Sequence, residues 1–278
     1  MGIDKFDFTT FKTIDTALLH EIGEVVEDKT RKDFYKYFCA LEYAQVMWKP
    51  HRFGEDTNFK CPYLKIAINP KYFENFISML GYIKNLLGVE ELDLRSLNVS
   101  RLDVKADVDG LPMDVVLSRL HATGFRRESL SFYKSSIYIG SNPKIRAYDK
   151  SREIIYRLRK GKEVLDWERE INSSGKQVTR FEIQLRHTKK TLWDIANDPV
   201  ALVSHFDRLK FYNFEDDGKI ANMGGLQLLM SKVSRKHRQA LEKFRDHDLD
   251  ALVRQNFTVA VSKWFGIGEP TIIDNIQF

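Results

Sequence analysis

With 278 residues, 43% of them hydrophobic and 12% aromatic, the chain has enough apolar side chains for one large core or two modest ones. No run approaches the roughly 18 apolar residues of a membrane span, and MGIDKFDFTTFK lacks the apolar centre of a secretory signal. The expected setting is therefore a cytoplasm, with no membrane partner. Cys39 and Cys61 lack the CxxC spacing of a zinc site, which leaves core thiols rather than a disulfide framework.

Residues 10 to 30 read as a helix with Leu18, Leu19, Ile22 and Val25 on one side, and FYKYFCALEYAQVMW and YLKIAIN read as two strands. KYFENFISMLGYIKNLLG has helical spacing and a closing glycine. A strand at VSRLDVKADVDG follows. Next, PMDVVLSRLHATG reads as a helix opened by Pro112 and closed by Gly124. LSFYKSSIYIGS and KIRAYDK read as strands about a turn at GSNPK. After a basic helix, NSSGK turns the chain into VTRFEIQLR, and everything beyond Thr188 reads as helix. The expected class is α+β: a mainly antiparallel sheet with one helix-packed face and one polar face, then an all-α segment. The expected domains are 1–197, the sheet, and 198–278, the helical segment.

Three strands carry a charged face. Strand side chains alternate between faces, so Arg101, Asp103, Lys105 and Asp107 share one side in VSRLDVKADVDG. Lys144, Arg146, Tyr148 and Lys150 form a second polar row, and Arg180, Glu182, Gln184 and Arg186 a third. Between Lys144 and Lys190 there are fourteen Lys and Arg against seven Asp and Glu, an excess larger than the whole-chain charge of +5. Such a block suits a phosphate backbone, whose condensed counterions the cations displace. For residues 152 to 170 a solvated charged helix explains the same charges. In the tail, Lys232, Arg235, Lys236, Arg238, Lys243 and Arg245 fall within fourteen residues, as either a solvated helix or a duplex-DNA contact.

The order SRLDVKAD, SIYIGSNPKIRAYDKSRE, VTRFEIQLR resembles the Rep_trans group of rolling-circle plasmid replication initiators and the related relaxases of integrative conjugative elements, over about residues 60 to 215. The resemblance implies a relative of the HUH-endonuclease sheet without its histidine pair, and the seven histidines include no His-x-His. It further implies a double-stranded origin and a single-stranded nick site as DNA partners, a homodimer or two sequential protomers, and a host helicase.

Cutting one strand by transesterification needs a nucleophilic oxygen, a polarised phosphate and cations to hold developing charge. Asp103 and Glu182, mid-strand on the polar rows, are the carboxylates best placed to share magnesium or manganese, with Gln184 as a further oxygen ligand and Asp107 ranked lower. Arg146, Lys150 and Arg180 would clamp phosphate, and Tyr148 would stack on a base or orient a ligand. Arg101, Lys105, Arg186, Lys189, Lys190, Arg235, Lys236 and Arg238 complete the expected DNA contacts. The alternative for the same carboxylates is plain ion pairing, Asp103 with Arg101 and Glu182 with Arg180 or Arg146.

The nucleophile departs from the family pattern. HTKKTLWDIANDP holds no tyrosine where the resemblance implies one, and Thr191 lies near that place. Tyr212 is the one tyrosine downstream of Glu182 and is the candidate, on the next predicted helix; Tyr148 and Tyr156 lie upstream. The expected function is a replication initiator that nicks its origin through a tyrosine, leaving a 3′-hydroxyl. The alternatives are a non-catalytic sequence-specific DNA-binding protein (a theta-type initiator or repressor) and a metal-dependent nuclease that uses water.

Overall fold

The computed structural model describes residues 2–53, 61–122, 130–213 and 242–268. In chain order its strands are β1 (Ile3–Thr10), β2 (Glu24–Glu27), β3 (Tyr35–Ala40), β4 (Ala44–Pro50), β5 (Leu64–Ile68), β6 (Asn98–Asp109), β7 (Leu120–Ala122), β8 (Leu130–Tyr133), β9 (Ser136–Ile139), β10 (Lys144–Asp149), β11 (Val178–Arg186) and β12 (Leu209–Phe211). The helices are α1 (Thr16–Ile22), α2 (Phe76–Leu87), α3 (Met113–Arg119), α4 (Lys150–Arg159), α5 (Asp166–Ser174), α6 (Leu192–Asn197) and α7 (His247–Phe265). No helix among the described residues is long and apolar enough to cross a membrane.

The chain packs as two compact units. The first holds Met1–Val104, Leu185–Leu202 and Val261–Gly268; the second holds Lys105–Gln184 and Val203–Ala260. The chain passes from the first to the second within β6 and returns within β11. This division differs from the boundary expected at 197/198.

In the first unit, β2, β3, β4, β5, β1 and the start of β6 pair in that order, each pair antiparallel. Phe6 and Phe8 lie opposite Ile68 and Ile66, which lie opposite Ala44 and Val46, so these buried side chains share one face. Period-two alternation puts Asp7, Lys65 and Arg101 on the other. α2 buries Phe76, Met79, Ile83 and Leu86, one stripe at helical spacing. Asn75 and Ser78 cap its N-terminus reciprocally, and Gly88, at φ +62°, ends it in the left-handed conformation that glycine adopts without strain.

The helix expected over residues 10 to 30 is three elements. Asp15 starts α1 by accepting from the backbone N–H of Ala17 and Leu18, and Gly23 stops it. A Cβ at Gly23 would lie 2.6 Å from Cys39 Sγ, so this close approach to β3 requires glycine. The stretch read as one strand through FYKYFCALEYAQVMW is the β3–β4 hairpin.

In the second unit, β11, β10, β9 and β8 pair in that order, again antiparallel. Ile183, Ile145 and Ile139 are aligned across three strands, as are Phe181, Ala147 and Ile137, and all six are buried. α3, which buries Met113, Val116 and Leu117, lies against β9, β10 and β12. The helix expected from Pro112 stops at Arg119 because the following residues pair as β7 with β12. Strand pairing beyond residue 198 also means that the C-terminal part is not all-α. An α+β class with antiparallel strands nonetheless describes the chain.

Candidate nucleic-acid interface

The register of the second unit fixes its polar face. Tyr148 lies between Ser136 and Arg180, Arg146 between Tyr138 and Glu182, and Lys144 opposite Gln184. These side chains project from the face opposite the isoleucines. α4 follows β10 directly, and Asp149 caps it by accepting from the Arg152 N–H, 2.9 Å away.

One end of this face is closed. Arg180 Nε and Nη2 donate to the two oxygens of Asp107 at 2.5 and 2.6 Å, and the guanidinium lies 5.5 Å from the Trp167 ring centroid. Only 4% of Arg180 is exposed. Burial pushes the Asp107 carboxyl up, but the Arg180 hydrogen bonds and charge outweigh it and hold the carboxyl below its ordinary value. Burial likewise works against the Arg180 charge, yet Asp107 keeps its pKa above the usual guanidinium value. Lys150 is held in the same way, 2.5 Å from Glu153 and 2.6 Å from Glu168, with Arg157 also bonded to Glu168. For Glu168, burial raises the pKa, while Lys150, the Leu165 N–H and Arg157 lower it further than that. Arg180 and Lys150, expected as phosphate clamps, are therefore partners in buried ion pairs. Lys105 is also buried.

The other end is open. Tyr148 donates its hydroxyl to Glu182 Oε1 at 2.8 Å, and Arg146 forms an ion pair with Glu182 Oε2. Glu182 is buried, whereas the Arg146 side chain keeps 34% exposure. Above this floor is a cleft of about 800 Å³ whose lining includes Tyr138, Arg146, Tyr148, Arg152, Tyr156 and Arg159. Arg152, Tyr156 and Arg159 are exposed at positions i, i+4 and i+7 of α4 and so form one stripe. Among the described residues no carboxylate pairs with Arg152 or Arg159. Lys144 lies 5.1 Å from the Tyr138 ring centroid at the same end.

In the first unit, Arg101 grips Asp103 with Nε and Nη2 at 2.9 and 2.6 Å, the ion-pair alternative for that carboxylate. Glu182 has the same alternative realised through Arg146. A magnesium or manganese ion seeks several oxygen ligands, yet among the described residues no three His, Cys, Asp or Glu side chains gather to hold one. Asp103 accepts from the Arg101 guanidinium, and Glu182 accepts from the Tyr148 phenol and is ion-paired with Arg146. With a cation already beside each carboxylate, the two residues do not fit such an ion as they stand. Gln184 is half-buried opposite Lys144. Arg186 and Lys189 are exposed and Lys190 half-buried, in the first unit. Arg235, Lys236 and Arg238 lie outside the described residues.

Tyr212 follows β12 rather than sitting on a helix. It is 2% exposed, and its hydroxyl is 3.3 Å from Glu242 Oε1. Burial, then the Glu242 charge, pushes its pKa up to about 12. A phenol that is inaccessible and harder to ionise makes a poor nucleophile. Thr191 caps α6 through Asp194.

Sequence reasoning missed Arg152 and Arg159 as cleft residues; their spacing with Tyr156 on one helical stripe was the signal. It also missed Asp7, 3% exposed on β1 and 3.0 Å from Lys65 Nζ. No family model matches the chain, and no curated protein does.

Proposed function

We propose that the second unit binds single-stranded DNA in the cleft between β9, β10 and α4, as a replication-initiator type of protein. The observation that carries this reading is the lining itself: three arginines interleaved with three tyrosines over a polar sheet face. Proteins that hold single strands combine cations that follow the phosphates with aromatic rings on which bases stack. Arg152 and Arg159 have no carboxylate partner among the described residues, so both are available to phosphate.

The test is fluorescence anisotropy with labelled single-stranded and duplex oligonucleotides of one sequence, titrated across salt concentrations. Arg152→Ala with Arg159→Ala is expected to reduce the slope of log K against log salt by about 1.4, because each phosphate neutralised on a single strand contributes about 0.7. An unchanged slope would remove the cleft from the binding surface. Preference for duplex would favour the non-catalytic, origin-binding alternative.

A further inference from the structure

The loop that follows β11, in the first unit, combines backbone strain with positive charge. Among the described residues six glycines take positive φ, a conformation they adopt without strain, and so do four residues that carry a Cβ: Arg31, Lys49, His187 and Lys189. Of these four, only His187 (φ +51°) and Lys189 (φ +57°) share a turn, on either side of Thr188. Strained residues of this kind persist where their surroundings over-determine them. Here the start of β6 does so. The His187 N–H donates to the Ser100 carbonyl at 2.9 Å, Thr188 Oγ1 donates to the Val99 carbonyl at 2.7 Å, and the Val99 N–H donates to the Lys190 carbonyl at 2.9 Å. Pinned in this way, the loop leaves the N–H groups of Thr188 and Lys189 without an acceptor among the described residues. Successive N–H groups in a turn whose φ alternates in sign form a concavity that suits an anion.

The side chains supply the matching charge. Lys189 is exposed and has no carboxylate partner among the described residues. Lys190 and Arg95 both lie close enough to Asp194 to act on its carboxylate, and Arg95, exposed, stands 4.7 Å from the Trp193 ring centroid. The adjoining carboxylates are engaged as caps: Asp93 accepts from the Arg95 N–H at 3.0 Å and Asp194 from the Thr191 N–H at 2.7 Å. We propose that Arg186–Lys190 is a phosphate-binding loop of the first unit, in which the Thr188 and Lys189 N–H groups and the Lys189 and Lys190 side chains hold the phosphate oxygens. Arg95 adds charge from the turn before β6. A nucleic-acid strand and a free nucleotide present the same phosphate oxygens, and the experiment below separates the two sources. The site is distinct from the cleft of the second unit and does not rest on the single-strand reading. It also accounts for the residue types: glycine at 187 and 189 would form the same turn without strain, but would remove the lysine at its centre.

The experiment follows amide hydrogen exchange of the full chain by mass spectrometry with saturating inorganic triphosphate, with a saturating oligonucleotide, and with sodium chloride at matched ionic strength. The expected result is slower exchange in the peptide containing Thr188 and Lys189 with at least one phosphate-bearing probe and no change with chloride. Protection by the oligonucleotide alone assigns the phosphate to a nucleic-acid strand, protection by triphosphate alone assigns it to a free nucleotide, and either supports the loop. No protection of this peptide by either probe overturns the proposal. For a probe that protects, Lys189→Gly with Lys190→Ala is expected to weaken binding at least about tenfold, the usual effect of losing charge-assisted hydrogen bonds, and to abolish the protection. Unchanged affinity together with unchanged protection would also overturn it. Glycine takes the left-handed position at 189 without strain, so this variant removes charge and keeps the turn. Arg152→Ala with Arg159→Ala should leave the protection at saturating probe in place, so failure of the cleft and failure of the loop are read separately.

Discussion

Arg180 and Arg146 stand on neighbouring strands of one polar face, each with a carboxylate partner, yet their surroundings differ. Arg180 is bonded to both oxygens of Asp107, covered by Trp167 and 4% exposed. The Arg146 side chain keeps 34% exposure beside a cleft. The difference comes from α5, which brings Trp167 and Glu168 over Arg180 and Lys150. Charge alone therefore does not mark a binding residue. At the closed end the cations neutralise carboxylates and hold α4 and α5 on the sheet, and at the open end they face solvent where a ligand can enter.

The sharpest way to break this contrast is at the closed end. Asp107→Ala leaves the Arg180 guanidinium buried without its main counter-charge and is expected to cost about 3–5 kcal/mol, the usual effect of halving a buried ion pair. Urea denaturation measures it. A loss within the range of a surface pair, below about 1 kcal/mol, would show that the closed end is not closed in solution.

At the open end, Tyr156→Ala should leave stability nearly unchanged, because the ring is 58% exposed. It should weaken single-strand binding by about 1–3 kcal/mol if a base stacks there. Anisotropy titration decides between that loss and none.

The smallest expected effect is on pH dependence. The Asp107 and Glu168 carboxyls are both held below their ordinary values in the folded chain. Stability linked to them is fully present above the unfolded-state values, about 4, and is lost as pH falls through the lower folded-state values. Denaturation midpoints measured from neutral pH down to about 3 should thus decline, and less steeply in Glu168→Gln than in the parent. Equal declines would detach Glu168 from the linkage.

Much of the sheet was legible because period-two alternation in SRLDVKAD, KIRAYDK and VTRFEIQLR is a local signal, and the register aligns the expected polar residues Arg146, Tyr148, Arg180 and Glu182 on one face. What was not legible depends on contacts distant in sequence. Arg180 finds Asp107, 73 residues away, and nothing in either strand selects that partner over Glu182. The short α1 ends because Gly23 must pass Cys39, and α3 ends because β7 pairs with a strand some 90 residues later; helical periodicity carries no information about either event. Tyr212 was picked out by its order after Glu182, but burial decides its chemistry, and burial follows from packing rather than order.

The most direct test of the cleft as the DNA site is photo-cross-linking of the chain to single-stranded oligonucleotides containing 5-iododeoxyuridine, with the attached peptides mapped by mass spectrometry. The account predicts cross-links to Tyr138 or Tyr156, lost when an unlabelled single strand competes. Competed cross-links that all map outside β9, β10 and α4 would contradict it.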